Sequence, residues 1–257
     1  MDSDAGKGDD ETVDEILGGR LRMIQKKNGF RFSVDAVLLA HFVSLKDGGD
    51  LIDLGTGGGI IPLVLASRGK LGRILGIDIQ EACTALARRN AALNGFDGRI
   101  EIRLGDVRRP EDFCEPLSFD AAVFNPPYRR LRSGRMNADP GKALARHEIA
   151  GTAGDFLAAA RYALRSGGRV YAIYPAKRMV DLFVRMRASG IEPKRVRMVH
   201  SRKGDRAAFA LVEGIKEAGE ELNVLSPLFI YDQTGGYTGE MTAIFSELSA
   251  SPTPGGG

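Results

Sequence analysis

The chain has 257 residues, 43% hydrophobic and 27% charged, enough for one substantial α/β domain with its own core and with no composition shift that demands a second. No apolar run approaches the ~20 residues needed to cross a bilayer, and the acidic amino terminus lacks the basic and apolar regions of a signal peptide, so a cytoplasmic protein without a membrane partner is expected. The formal charge of +3 is unevenly spread: residues 1–15 carry net −6, which leaves +9 on residues 16–257 and favours a polyanionic partner.

Residues 1–15 read as a disordered acidic tail, 16–248 as a single domain, and 249–257, made of Ser, Pro, Thr, Ala and Gly, as a second tail. Ser33–Val43 has apolar residues at helical spacing behind a Ser that can cap it. Leu51–Leu54 is a short buried strand running into Gly55-Thr-Gly-Gly-Gly59, and Ile60–Ser67 then reads as a helix with Pro62 in its first turn, where a missing backbone donor does no harm. The alternation repeats with a strand at 73–77, a helix at 81–93 ending in Asn94-Gly95, and strands at 99–104 and 119–124.

Beyond a long loop, residues 143–164 are mainly helical, 168–174 a strand, 177–189 a helix, and 195–200 and 206–212 two late strands; residues 213–248 take no assignment. Strands alternating with helices predict an α/β fold, a mostly parallel sheet with helices on both faces. Only two cysteines occur, Cys83 and Cys114, without metal-ligand spacing or a His partner, so no metal site is expected and both thiols read as reduced and structural.

The strand ends carry a binding pattern. Asp53-Leu-Gly55-Thr-Gly57-Gly-Gly59 begins like a dinucleotide fingerprint, but Ile60 stands where the third glycine belongs. A carboxylate two residues before the first glycine repels a pyrophosphate and suits a ligand with an ammonium group and no phosphate; S-adenosylmethionine is such a ligand. Asp78, 19 residues after Gly59, closes the second strand, where a carboxylate accepts both hydroxyls of a ribose. Asp106 follows the third strand, placed to accept from an adenine amino group, with the Val107 backbone beside it.

Asn125-Pro126-Pro127-Tyr128 follows the strand at 119–124. Ligands of open α/β sheets bind beyond the carboxyl ends of the strands, so this rigid tetrapeptide is the candidate catalytic site for a planar nitrogen. The Asn125 side-chain oxygen and the Pro126 carbonyl can each accept one hydrogen of an amino group, turning its lone pair toward an electrophile. Tyr128 can stack on a flat base, a contact worth ~1–3 kcal/mol. The stretch 129–148 then carries six cations against two acids, +4, which makes Arg129, Arg130 and Arg132, with Pro127, candidate substrate contacts. Residues 194–206 add +5. His147 and Glu148 are adjacent on a helical stretch, point in different directions and read as structural.

The constellation of Asp53, Gly55, Gly57, Asp78 and Asp106 resembles the class I S-adenosylmethionine-dependent methyltransferases over roughly residues 30–213. That resemblance implies a Rossmann-like seven-stranded sheet with a final antiparallel strand. It adds Thr56 and Ile79 to the cofactor residues, and Phe32 and Asp35 from the segment Gly29–Asp35, which in similar enzymes closes over the cofactor. Asn-Pro-Pro-Tyr resembles the catalytic motif of amino-group methyltransferases acting on adenine, guanine or the glutamine of release factors.

Gly-Phe-Arg-Phe-Ser-Val-Asp-Ala-Val-Leu-Leu-Ala at 29–40, the tetrapeptide, and Ala-Arg-His-Glu at 145–148 are together similar to the bacterial tRNA adenine-N(6) methyltransferases, with Val199-His200 and Ser226-Pro-Leu228 echoing the family further on. The resemblance implies an RNA substrate, a tRNA adenine near the anticodon, which is already single-stranded and costs less to bring into a pocket than a base in a duplex. Arg129-Arg130 stand where relatives often carry an aromatic residue. Protein glutamine methylation, guanine methylation in RNA, and RNA binding without turnover stay open as alternatives.

Overall fold

The computed structural model describes residues 8–27, 33–44, 46–69, 71–126 and 151–250. Two strands, β1 (Glu11–Ile16) and β2 (Leu21–Lys26), pair as an antiparallel hairpin. The main body then runs α1 (Val34–Phe42), β3 (Leu51–Leu54), α2 (Ile60–Ser67), β4 (Ile74–Asp78), α3 (Glu81–Leu93), β5 (Ile100–Leu104) and β6 (Phe119–Phe124). After the undescribed stretch come α4 (Ala153–Ala163), β7 (Leu164–Pro175), α5 (Met179–Ala188), β8 (Ile191–His200), β9 (Ala207–Lys216), β10 (Asn223–Phe229) and α6 (Gly239–Ser249).

The main sheet has the order β10-β8-β9-β7-β6-β3-β4-β5. Only β9 runs against its neighbours, β7 and β8; the other pairings are parallel. The expected α/β architecture with a mostly parallel sheet is the observed one, but the sheet holds eight strands rather than seven. The eighth, β10, lies in the stretch that took no assignment. Its side chains are mostly exposed and Pro227 interrupts it, features that an edge strand tolerates and that erase the alternation by which a strand is recognised.

Period-two alternation divides the core between the two faces. Leu51, Ala121, Val123, Tyr171 and Ile173 join the cluster under α1, α2, α3 and α6, whereas Ile52, Leu54, Ala122, Phe124, Val170 and Ala172 pack under α4 and α5. Strands buried on both sides read as continuous apolar runs, which is why β3, β4 and β6 were legible within a residue.

Residues 11–15, which the acid count placed in a disordered tail, belong to β1. Long-range pairing explains the difference. Glu11 accepts from Arg89 Nη1 and Nη2 of α3 at 2.9 and 2.7 Å, which holds its pKa down to about 2. Two asparagines one turn apart, Asn90 in α3 and Asn94 capping its end, fasten the rest of the hairpin. Asn94 accepts from the Arg22 N–H at 2.9 Å and donates to the Arg22 carbonyl at 2.7 Å, and Asn90 accepts from the Ile24 N–H at 2.7 Å and donates to its carbonyl at 3.2 Å. The two amides thus imitate a strand edge. Among the described residues no helix is long and apolar enough to cross a membrane.

Candidate active site

The carboxyl ends of β3, β4, β5 and β6 lie side by side, and each carries a residue expected to bind or react. After β3 the chain makes a left-handed excursion, with φ of +76° at Gly55, +56° at Gly57 and +85° at Gly59. A Cβ on Gly55 would also stand 3.1 Å from the Phe156 ring, a tight contact, so the position disfavours a side chain twice over. The N–H groups of Gly55 and Thr56 both donate to the Ile77 carbonyl at 2.8 Å, and the Gly57 N–H donates to Asp78 Oδ2 at 2.9 Å, stapling the turn to β4.

Asp53 is the most unusual group at this edge. It is fully buried, and neither carboxylate oxygen has a hydrogen-bond partner. Burial drives its pKa up to about 7; the Thr56 hydroxyl offsets part of the rise without reaching an acceptable hydrogen-bond geometry, and the nearby Asp78 charge adds to it. An orphaned buried carboxylate beside a tight glycine turn is a site that a ligand cation completes. The ammonium of S-adenosylmethionine has that charge, so the residues present fit the cofactor.

Asp78 accepts from the Gly57 N–H and, through Oδ1, from the Gln80 N–H at 2.9 Å, and burial raises its pKa. A carboxylate offers about four lone-pair directions, so Asp78 keeps capacity for two ribose hydroxyls. Ile79, half-buried just beyond β4, offers an apolar flank. Asp106 stands after β5, but its carboxylate is already held by Arg108, whose Nη2 donates to Oδ2 at 2.6 Å and whose Nε donates to Oδ1 at 2.9 Å; this hydrogen bonding lowers the Asp106 pKa. Arg108 was not singled out in the sequence, and only the local Asp-x-Arg spacing signals it. The Val107 side chain is buried in the face under α4.

At the end of β6, one strand from β3, Asn125 is half-buried and Pro126 buried. Asn125 donates through Nδ2 to Oδ2 of Asp35, in the first turn of α1, at 3.4 Å. Asp35, itself buried and accepting from the Ser33 hydroxyl, has its pKa raised by burial. The sequence grouped Asp35 with the cofactor; in the structure it contacts the proposed catalytic amide. Asn90, also missed, donates to the Gly58 carbonyl at 2.9 Å, so one buried amide braces both the β1–β2 hairpin and the glycine turn.

Phe32, Pro127, Tyr128, Arg129, Arg130, Arg132, His147 and Glu148 lie outside the described residues. Of the basic stretch 194–206, half is consumed inside the fold. Lys194 donates to the Gly219 and Glu220 carbonyls, Arg195 pairs with Glu213, and Arg197 pairs with Glu240. Cys114 is held protonated, its pKa pushed up to about 11 by burial, which removes it as a nucleophile.

Residues 33–184 match the family model described as the methyltransferase small domain. The tRNA1(Val) (adenine(37)-N6)-methyltransferase of Porphyromonas gingivalis is 34% identical over 158 residues, 59% of this chain and 61% of its own length, so the chain spans about three fifths of that relative. A protein of the same name from Actinobacillus succinogenes is 27% identical over 232 residues, 89% of this chain and 94% of its own. Among solved structures, a predicted O-methyltransferase from Agrobacterium tumefaciens superposes with a TM-score of 0.69 at 23% identity, over 84% of this chain and 97% of that one, a likeness of fold.

Proposed function

The chain belongs to the methyltransferase small-domain family, and on that premise we propose that it transfers a methyl group from S-adenosylmethionine to the exocyclic amino group of an adenine in tRNA, in the cytoplasm. The relatives named for adenine-N6 methylation of tRNA1(Val) support this substrate class. The observation that carries the reading is the placement of the Asn125 amide at the end of β6, beside a buried, unpartnered Asp53 at the end of β3.

When bound, S-adenosylmethionine supplies an electrophilic methyl group. Asp53 would neutralise the ammonium, Asp78 would accept the ribose hydroxyls, and Asp106, now held by Arg108, would take the adenine amino group. Gly55, Thr56 and Gly57 form the turn through which backbone approaches ligand, while Ile79 and Phe32 provide apolar surroundings and Val107 offers its backbone.

The target amino group is a weak nucleophile because its lone pair is delocalised into the ring. Asn125 Oδ1 and the Pro126 carbonyl each accept one of its hydrogens, favouring a pyramidal nitrogen with its lone pair directed outward. Asp35 fixes the polarity of that amide. A carboxylate only accepts, so the Asn125 NH2 turns toward Asp35 and Oδ1 turns away from it. We assign Tyr128 the stacking surface for the base, and Pro127, Arg129, Arg130 and Arg132 the neighbouring substrate contacts. No strong base is required, since the proton leaves to water once the nitrogen is positively charged.

The test offers methyl-labelled cofactor to the purified protein with total tRNA, ribosomal RNA and a release factor, followed by nucleoside analysis. N6-methyladenosine in tRNA is the expected product. Label in the release factor and none in RNA would overturn the reading.

A further inference from the structure

The edge of the sheet that holds Asn125 continues past it. Because β7, β8 and β10 share the direction of β6 and β9 opposes them, the residues after β7, the β8–β9 turn and the residues after β10 all emerge at that same edge. Three inter-strand spacings put β8 about 14 Å from β6. Here lie Lys177, in the short turn after β7; Arg202, Lys203 and Arg206, in the turn between β8 and β9; and Tyr231 and Tyr237, in the loop after β10.

Among the described residues every arginine except Arg202 and Arg206 has its guanidinium engaged by a carboxylate or a backbone carbonyl. A fold that satisfies its guanidinium groups so consistently leaves two unengaged in one turn, both exposed and flanked by the exposed Lys203.

Arg202 is nonetheless held in place. Its guanidinium lies over the Tyr231 ring at 5.7 Å, Tyr231 stacks on Tyr237 at 5.5 Å with 12° between the rings, and Tyr237 meets Phe245 of α6 at 5.1 Å. The loop under this ladder is closed by Asp232, which accepts from the N–H groups of Thr234 and Gly236 at 2.8 and 3.1 Å. The Thr234 hydroxyl, which donates to Asp232 at 2.7 Å, and these backbone bonds hold the Asp232 carboxyl below its usual range and commit it to its own turn. Asp205, in the same turn as Arg202, is exposed. A planar fork steadied on an aromatic face loses little freedom when it takes a phosphate in bidentate fashion.

We propose that Arg202, Lys203 and Arg206, with Lys177 beside them, form a second phosphate-gripping face that holds the RNA backbone flanking the base seated at Asn125. The proposal rests on the RNA reading above and is separate from the arginines that follow Tyr128. Gripping the backbone on the far side of β7 fixes the direction in which the strand crosses the active edge, while base identity is left to the pocket.

The experiment measures tRNA affinity of the full chain against salt between 50 and 200 mM, for the native protein, the triple variant R202A/K203A/R206A, and K46A, whose lysine precedes β3 at the opposite edge. The triple variant should bind tRNA at least about tenfold more weakly at the lowest salt and flatten the log–log salt slope by about two to three, near one for each phosphate that the variant no longer neutralises. Its affinity for S-adenosylmethionine should match the native value, and K46A should keep the native slope. Native affinity and slope in the triple variant, with a native protein that methylates tRNA, overturn this proposal alone. A native protein that labels no RNA overturns the functional reading beneath it.

Discussion

Asn125 Nδ2 donates to Asp35 Oδ2 at 3.4 Å, joining the residue after β6 to the first turn of α1 across 90 positions of sequence. An amide has two nearly isosteric ends, and only its partner decides which one faces the substrate. Removing the acceptor altogether, Asn125→Ala, should lower kcat by about 10²–10³ with cofactor affinity retained. Asp35→Asn keeps the shape but can donate as well as accept, so kcat should fall by ~10- to ~100-fold as the orientation of Asn125 is lost. Burial raises the Asp35 pKa, and a protonated Asp35 could donate to the wrong end of the amide, so native kcat should fall on the acid side while the variant loses that limb. Calorimetry showing that Asp35→Asn has lost S-adenosylmethionine affinity would instead make Asp35 a cofactor residue.

If Asp53 is the ammonium site proposed above, cofactor binding should be a proton-release reaction. In the unliganded protein its pKa is about 7, and an ammonium partner requires the carboxylate. Affinity for S-adenosylmethionine should therefore rise with pH up to about 7 and level off above it. Calorimetry at pH 6 in two buffers of different ionisation enthalpy should show close to one proton released per cofactor bound. The same shift acts on folding. Because the folded state holds a proton that the unfolded chain releases near pH 4, the Asp53 contribution to unliganded stability declines as pH rises from about 4 to 7. Asp53→Asn should abolish both dependences. A pH-independent affinity in the native protein would show that Asp53 is not the ammonium site.

The strand-end acids at 53, 78 and 106 and the helices between them were legible because local chemistry specifies them: apolar runs buried on both faces, glycines where the backbone turns left-handed, carboxylates at the carboxyl ends. What was illegible depends on partners distant in sequence. Asp35 was grouped with the cofactor, and nothing near it in sequence announces its contact with Asn125. Glu11 looked like one more acid in a solvated tail because Arg89 is 78 residues away. The stretch 194–206 looked uniformly basic, although Glu213 and Glu240 pair with two of its cations and the Gly219 and Glu220 carbonyls engage a third. Strand β10 was hidden by its exposure.

Asn90 tests how far the hairpin supports the site. Its amide satisfies the Ile24 N–H, the Ile24 carbonyl and the Gly58 carbonyl from a fully buried position. Asn90→Ala strands these groups, each costing ~1–3 kcal/mol where water cannot reach, so urea denaturation should report a loss of about 3 kcal/mol. Cofactor affinity should weaken as well, because the Gly58 carbonyl anchors the glycine turn. A loss below about 0.5 kcal/mol, within the range of an ordinary surface substitution, would show that the hairpin contributes no more than cover.

Glu11 and Arg89 should govern acid stability of the same hairpin. The two-point hydrogen bond from Arg89 brings the folded pKa of Glu11 to about 2, below its unfolded value of 4.5. A depressed carboxylate stabilises the fold fully above the unfolded pKa and loses that contribution as pH falls through the folded one, so the affected window runs from about pH 4.5 down to about pH 2. Glu11→Gln should lower stability at pH 7 and flatten the acid limb of a stability–pH curve, bringing native and variant curves together near pH 2. Proteolysis at pH 7 should then cut first within residues 11–27, since the main sheet does not depend on this pair. Parallel curves at all pH values would show that the ion pair is incidental and that the Asn90 and Asn94 amides alone hold the hairpin to α3.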